Sequence, residues 1–294
     1  MTGDILSMNE NKAIYGIIGF PLKHSLSPVM HNTAFDALEV DAVYEKFELQ
    51  ENELKDFFAG LRKKNSPIFG LNVTIPYKEK VLEYLDSVTP LVERIQAVNT
   101  IVITNQRKLI GYNTDAPGFL AHLAELKVSL KEKNVAILGS GGTTRAILAT
   151  MCMIPDRPNE ITIYNRTASK LKQLIDSLGQ RVDLSIVRVV DSLDDLRLEK
   201  SDILINTTSV GLDKKDESLI NEELLHSDLF VYDIIYSPKE TALLKMAKRK
   251  GAKVANGLGM LFYQGVLSFE HWANVLLEDE LKNKMRKSLE KAVI

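Results

Sequence analysis

The sequence predicts an α/β protein of two domains with largely parallel sheets. Three observations lead there. Short apolar runs of strand length alternate with stretches of helical periodicity along most of the chain. The 294 residues are about twice the length of an ordinary domain. A charged knot, Lys131-Glu132-Lys133, is followed at once by an apolar run, Val135-Ala136-Ile137-Leu138, that ends in a glycine-rich turn, so the pattern starts afresh there.

In chain order, β-branched and aromatic residues predict strands at 14–18, 43–47, 69–74 and 100–103. Helices fall between them at 28–38 and 51–63. Ser27 ahead of Pro28 fits an N-cap with proline at the first helical position. Residues 105–108 read as the tip of a hairpin between 101–103 and 109–112. Asn113-Thr114-Asp115 ahead of Pro117 breaks the pattern, and a helix at 118–126 leads to the charged knot. Beyond it come a strand at 135–138, a helix at 143–151, a strand at 161–164 and a helix at 169–178. Strands at 186–189, 203–206 and 230–234 follow, each unit having the length of a βα repeat. The domains are expected at 1–114 and 115–256, with 257–294 returning as helices onto the first.

Lys+Arg total 37 and Asp+Glu 39, a formal charge of −2. That lacks the basic excess of a nucleic-acid binder. No apolar run approaches the roughly 20 residues of a membrane helix, and residues 1–11 lack the basic start and apolar stretch of a secretory signal. The single cysteine, Cys152, lies in an apolar run and reads as a buried thiol. His24 and His31 have no acidic cluster near them, so no metal is expected. The chain is expected in the cytoplasm, as a monomer or homodimer, with small-molecule partners, no nucleic acid and no membrane.

The glycine turn carries the first functional signal. In Gly139-Ser140-Gly141-Gly142-Thr143-Thr144, glycines let the backbone approach a pyrophosphate, and the following helix offers free N–H groups. The usual dinucleotide fingerprint places a third glycine where Thr144 stands, so a plain strand-to-helix turn stays open as the alternative. The next strand ends in Tyr164-Asn165-Arg166-Thr167, with no acid to bond a ribose 2′-hydroxyl. Arg166, with Lys170 four residues on, suits a 2′-phosphate and favours NADP over NAD; two solvated basic residues are the bland reading. Asn165 and Thr167 are further donors or caps.

The front domain carries several polar residues beside apolar ones. Ser25 and Ser27, near a helix start, suit a small carboxylate. Asn72 and Thr74 share one face of a strand. Lys78 follows Pro76, just past that strand, where a lysine is ordinarily solvated; beside a nicotinamide it can relay a proton. Asn99 and Asp115 adjoin apolar strands, Asp115 at the hand-over between domains.

Together these pieces resemble the shikimate dehydrogenase family. The substrate half is seen in Ser25-Leu26-Ser27-Pro28, Asn72-Val73-Thr74-Ile75-Pro76-Tyr77-Lys78, Ala97-Val98-Asn99-Thr100 and Gly111-Tyr112-Asn113-Thr114-Asp115. The cofactor half and return segment are seen in residues 139–146, Asn165-Arg166-Thr167, residues 206–211, residues 233–238 and residues 256–264. The likeness runs from about residue 15 to residue 272, in the family's order. It implies a substrate domain, a Rossmann-like doubly wound NADP domain, and reversible NADPH-dependent reduction of 3-dehydroshikimate to shikimate. It further implies a catalytic pair of Lys78 and Asp115. Substrate contacts are implied from Ser25, Ser27, Asn72, Thr74, Asn99, Asp115, Tyr236 and Gln264. The cofactor contacts it implies come from Gly139, Ser140, Gly141, Gly142, Thr143, Asn165, Arg166, Thr167, Lys170, Thr208, Ser209, Ile234 and Gly257. The chain departs from the family at Pro90, where many members have an acid, at Lys170, often arginine, and at Ile234, often methionine. The rival readings are a broader quinate/shikimate dehydrogenase, a methylene-tetrahydrofolate-type dehydrogenase, and a silent NADP-binding sensor.

Overall fold

The computed structural model describes residues 12–213 and 215–293. One compact unit runs up to Gly118 and resumes over Leu261–Ala292; the other is Phe119–Met260 with the last residues of the chain. The first division falls inside a helix that starts at Asp115, and the second inside a helix that starts at Leu258. The sequence offers no break at either point because a helical pattern runs straight through it.

The first unit begins with β1 (Ala13–Gly19), α1 (Ser27–Ala37), β2 (Ala42–Glu48), α2 (Leu54–Leu61) and β3 (Ile68–Val73). It continues with β4 (Ser87–Val88), α3 (Pro90–Ile95), β5 (Thr100–Ile103), β6 (Leu109–Tyr112) and the start of α4 (Asp115–Glu125). Its sheet has the order β2-β1-β3-β5-β6-β4. The β1–β2, β1–β3 and β4–β6 pairs are parallel, while β5 runs antiparallel to both β3 and β6. This sheet is therefore mixed. The reason is local: Thr104 and Lys108 close a short turn between β5 and β6, and a turn that short joins only antiparallel strands. Ile18, Leu71, Val73 and Ile101 fill the core on α2. Pro90 has a simple structural role as the opening residue of α3, behind Thr89, where its missing N–H costs nothing.

The second unit comprises β7 (Asn134–Leu138), α5 (Gly142–Met153), β8 (Glu160–Tyr164), α6 (Ala168–Gly179), β9 (Val187–Val189), β10 (Ile203–Asn206), β11 (Phe230–Asp233), α7 (Ala242–Arg249) and β12 (Lys253–Asn256). All its strand pairs are parallel, in the order β12-β11-β10-β7-β8-β9. The sheet is thus doubly wound, and strand order reverses between β7 and β10. Ligands of such sheets bind outside the strands' carboxyl ends at that switch. Among the described residues, the connections after β9 and β10 hold only short 3₁₀ turns, at Asp194–Leu196, Leu198–Lys200 and Glu222–Leu224. Residues 191–202 are acid-rich, and Leu193, Leu196 and Leu198 reach the core from these short turns rather than from a full helix. The chain closes with α8 (Leu258–Ala273) and α9 (Asp279–Ala292); α9 packs on α1.

Candidate active site

In the first unit, polar side chains from β3, β5, α4 and α8 converge in the interior. Lys78 is only 9% exposed, and its Nζ lies 2.5 Å from Asp115 Oδ2. Its carbonyl accepts the Val98 N–H at 2.7 Å, which fixes the lysine's backbone against the approach to β5. Asp115 is the first residue of α4, where the helix dipole favours a carboxylate. Its other oxygen accepts from Asn99 Nδ2 at 3.0 Å. Asn99 also donates to Gln264 Oε1 at 3.2 Å and to Thr114 Oγ1 at 2.8 Å, and it accepts the Thr114 N–H at 2.7 Å. So Lys78, Asp115, Asn99 and Gln264 form one hydrogen-bonded set. A buried pair of this kind stays intact only when its partners are fully satisfied.

Asn72 is turned inward. Its Oδ1 accepts the Tyr44 hydroxyl at 2.7 Å, and its Nδ2 donates towards Ser268 Oγ at 2.9 Å and the Asn99 carbonyl at 3.1 Å. The amide hydrogens are thus spent within the protein. Thr100, Thr114 and Ser268, all fully buried, form a triangle of hydroxyls with sides of 2.7 to 3.1 Å. Sequence inspection passes over Tyr44, Thr100, Thr114 and Ser268. One signal was available: Ser268 follows Gln264 by four residues inside an otherwise apolar helix, so both lie on one face.

Ser25 and Ser27 flank the start of α1, and Ser25 Oγ accepts the Ser27 N–H at 3.4 Å. Contrary to expectation, Ser27 is the first helical residue and Leu26 the cap, so no side chain caps the helix. Pro28 then takes the second helical position, where its missing N–H still costs no intrahelical bond. Thr74 follows β3 with its methyl pressed on Gly19, where any Cβ would collide with it.

His31 is a buried histidine in an aromatic box. It stacks on Tyr44 at 4.5 Å and tilts against Trp272 at 5.1 Å. Neither ring nitrogen has a hydrogen-bond partner among the described residues. Burial drives its pKa down to about 3, against a weaker upward pull from the Asn72 amide. The folded chain therefore refuses a proton that the unfolded chain accepts near the ordinary 6.5. Stability from this group is complete above that value and is lost as pH falls towards 3. Replacing His31 by phenylalanine is expected to flatten the acid limb of the first unit's stability profile. Thermal midpoints against pH, read from Trp272 fluorescence, check this; superimposable acid limbs would contradict it.

In the second unit, Gly139 closes β7 with φ +118°, a backbone region that disfavours L side chains. A Cβ there would also lie 2.5 Å from Thr207 Oγ1. Thr144, at the place of a third glycine, accepts the Gly141 N–H at 3.0 Å and meets Thr207 Oγ1 at 2.7 Å. Its hydroxyl closes the turn from inside and is not offered to a ligand. Gly141 has no neighbour within 4 Å of its missing Cβ, so the outer face of the turn is open. The turn runs straight into the N-terminus of α5 at Gly142, where the helix dipole favours an anion.

At the end of β8, Asn165, Arg166, Ser169 and Lys172 line a groove of about 430 Å³, together with Asp176, Val189, Val190 and Asp191. Arg166 lies two residues ahead of α6, so it does not share a helix face with Lys170. Lys170 is exposed and outside this lining; Lys172 lines it and pairs with Asp176 at 2.7 Å. Asn165 Nδ2 donates to the Thr167 carbonyl at 2.9 Å, and Thr167 caps α6 by its backbone alone. Thr208 and Ser209 follow β10, while Ile234 and Tyr236 follow β11. Gly257 lies beneath Ile234, whose carbonyl any Cβ would overlap, and its N–H bonds the Ile235 carbonyl at 3.1 Å. An open glycine turn leading into a helix N-terminus, and a groove in which Arg166 stands just past a β8 end that carries no acid, fit a phosphorylated dinucleotide; Asp176 and Asp191 complete the groove's lining.

A family model for the shikimate dehydrogenase substrate binding domain matches residues 17–101, and one for shikimate / quinate 5-dehydrogenase matches residues 122–235. The chain is 43% identical over 275 residues to a shikimate dehydrogenase (NADP(+)) of Geobacillus sp. strain WCH70, covering 92% of this chain and 96% of that one. It superposes on the crystal structure of shikimate 5-dehydrogenase from Thermus thermophilus in complex with NADP(H) and shikimate with a TM-score of 0.80, at 34% identity, covering 96% and 100%. It also superposes on ligand-free 5-ketofructose reductase of a Gluconobacter strain, with a TM-score of 0.79 at 31% identity, covering 96% and 99%.

Proposed function

The chain belongs to the shikimate dehydrogenase family, and from that membership we propose that it catalyses the reversible NADPH-dependent reduction of 3-dehydroshikimate to shikimate, within aromatic amino acid biosynthesis. The observation that carries the reading is the buried Lys78–Asp115 pair at 2.5 Å, locked by Asn99. When bound, the reduced nicotinamide supplies a hydride to the ketone carbon. Lys78 meets the negative charge that grows on the ketone oxygen and donates the Nζ proton to it. Asp115 aims the Lys78 ammonium, and Asn99 holds Asp115. Neutral Lys78 then regains a proton from solvent. In the oxidative direction it takes the proton from the substrate hydroxyl.

Ser25 and Ser27 bind the substrate carboxylate through their hydroxyls. Thr74, Asn99, Gln264 and Tyr236 bind its other oxygens. Asn72 and Asn99 meet it through Oδ1, because their N–H groups are engaged. In the first unit, buried polar groups of this kind reject analogues that leave one of them unpaired. Gly139 to Thr143 hold the pyrophosphate, Asn165, Arg166, Thr167 and Lys170 the adenosine side, and Thr208, Ser209, Ile234 and Gly257 the nicotinamide side. Small molecules are the partners. Among the described residues no helix is long and apolar enough to cross a membrane. A cytoplasmic monomer or homodimer, without nucleic acid, belongs to the same proposal.

The direct test is product identification. Incubation with NADPH and 3-dehydroshikimate is expected to yield shikimate, one molecule per NADPH consumed. NADPH consumption without shikimate would overturn the reading. Arg166→Ala is expected to weaken NADP binding about tenfold to a hundredfold, the worth of a lost charge-assisted contact to phosphate, while barely changing NAD. Titration of both cofactors checks this; equal losses would show that Arg166 does not read the 2′-phosphate.

A further inference from the structure

Asn206 and Asp233 are the last residues of β10 and β11 and are register partners at the carboxyl edge of the second sheet. Both are buried, at 2% and 0% exposure. Asn206 Oδ1 accepts the N–H and hydroxyl of Thr208, at 3.1 and 2.7 Å. Its Nδ2 donates to the Val210 carbonyl at 3.3 Å and to Asp233 Oδ1 at 3.1 Å. Asp233 Oδ1 also accepts the Ile235 N–H at 3.1 Å, and Oδ2 accepts the Thr241 hydroxyl at 2.7 Å. Thr241 in turn caps α7, accepting the Leu244 N–H at 3.3 Å.

Two loops leave the sheet edge side by side here, and both are tied to these two side chains. The 207–211 loop is shaped by Asn206. The 234–241 loop is clasped at its start and its end by the two oxygens of Asp233. The Asn206–Asp233 bond joins one loop to the other. The loops also touch directly: a Cβ on Gly211, which has φ +112°, would meet Thr241 and Ile235 at 3.1 to 3.3 Å.

We propose that Asp233, coupled to Asn206, is a positioning residue for the cofactor: one latch that sets the loop carrying Thr208 and Ser209 and the loop carrying Ile234 and Tyr236 at a common position. The proposal rests on the reading that these loops hold the nicotinamide side of NADP. The placement of a reacting group within about 1 Å governs rate steeply, so a loose latch costs both cofactor affinity and turnover. A carboxamide at 233 keeps the contacts but reverses one of them, so that the Thr241 hydroxyl accepts where it had donated. Its oxygen accepts from Ile235 and Asn206, and its nitrogen donates to the Thr241 hydroxyl.

The test compares Asp233→Ala, Asp233→Asn and Thr241→Val in the full-length enzyme, at a temperature where circular dichroism shows each one folded. NADP Kd is measured by calorimetry, and kcat and KM by initial rates with shikimate. Asp233→Ala is expected to raise the NADP Kd about tenfold and lower kcat. Asp233→Asn is expected to raise the Kd about threefold, since it keeps the contacts to Ile235 and Asn206 and reverses only the one to Thr241. Thr241→Val, which removes one bond, is expected to raise the Kd about threefold, and it carries the test if the alanine variant does not fold. A lower melting temperature with Kd and kcat unchanged would make the role merely structural and overturn the proposal. So would a loss in the asparagine variant as deep as in alanine. A wild type that binds no NADP would instead overturn the cofactor reading itself.

Discussion

Lys78→Ala is expected to lower kcat by about 10²–10⁴-fold, the usual worth of a positioned acid–base group, while NADP binding stays near that of the wild type. The reason lies in the pair's setting. Lys78 is nine-tenths buried, and its ammonium sits 2.5 Å from a carboxylate that is itself held by Asn99. Alanine removes the proton donor and leaves Asp115 with Asn99 and the start of α4 to stabilise it, so the first unit should still fold. Steady-state rates with shikimate and NADP, together with calorimetric NADP titration and circular dichroism, check the three parts. Retained turnover in the folded variant would remove Lys78 from the chemistry. A collapse of cofactor binding alongside turnover would mean that its role is not confined to the proton.

The second large effect is on stability. Arg107, at the tip of the β5–β6 turn, is 8% exposed and has φ +61°. Its Nε and Nη2 donate to the Leu61 carbonyl at 2.9 and 2.6 Å, and Nη2 also reaches the Ile68 carbonyl at 2.9 Å. Leu61 ends α2 and Ile68 opens β3, so one guanidinium satisfies a helix C-terminus and ties it to the sheet. The guanidinium also lies over the Phe69 ring at 5.5 Å. Arg107→Ala strands two carbonyls and empties the space the stem filled, at an expected cost of about 2–4 kcal/mol. Arg107→Lys should recover only part, because one ammonium does not reproduce the planar fork. Urea unfolding of the three proteins checks this. A loss below about 0.5 kcal/mol in the alanine variant, the size of an ordinary surface change, would contradict it.

Arg107 also shows where sequence inspection stops. As a residue of a predicted hairpin tip it carries no sign of burial; its work depends on α2 and β3 lying beneath it. By contrast, the strands at 203–206 and 100–103 are legible to the residue, because compact apolar runs bounded by polar ones define their own ends. The glycine turn is legible too, since strand, glycines and helix follow one another locally. Thr144 is not: whether its hydroxyl faces a ligand or closes the turn is decided by Thr207, far along the chain. The pairing of Arg166 with Lys170 needs a helix already running at 166, and α6 starts only at Ala168. The residue type of Ser27 fits a cap, whereas the helix already includes it and Leu26 stands at the cap. The short strands β4 and β12 and helix α3 escape sequence inspection, their apolar residues being too few to make a period; α7 escapes it although Leu243, Leu244 and Ala247 form an apolar face, because that face spans only eight residues. What local pattern sets is readable; what distant side chains set is not.

Initial rates of nicotinamide reduction, measured with shikimate and with quinate, each against NADP and NAD, test the central claim most directly. The account predicts fast turnover with shikimate and NADP and little with the other three pairs. Comparable rates with quinate or NAD would contradict the assignment of a strict NADP-dependent shikimate enzyme, and folded protein that binds NADP yet turns over neither substrate would contradict the catalytic role given to Lys78 and Asp115.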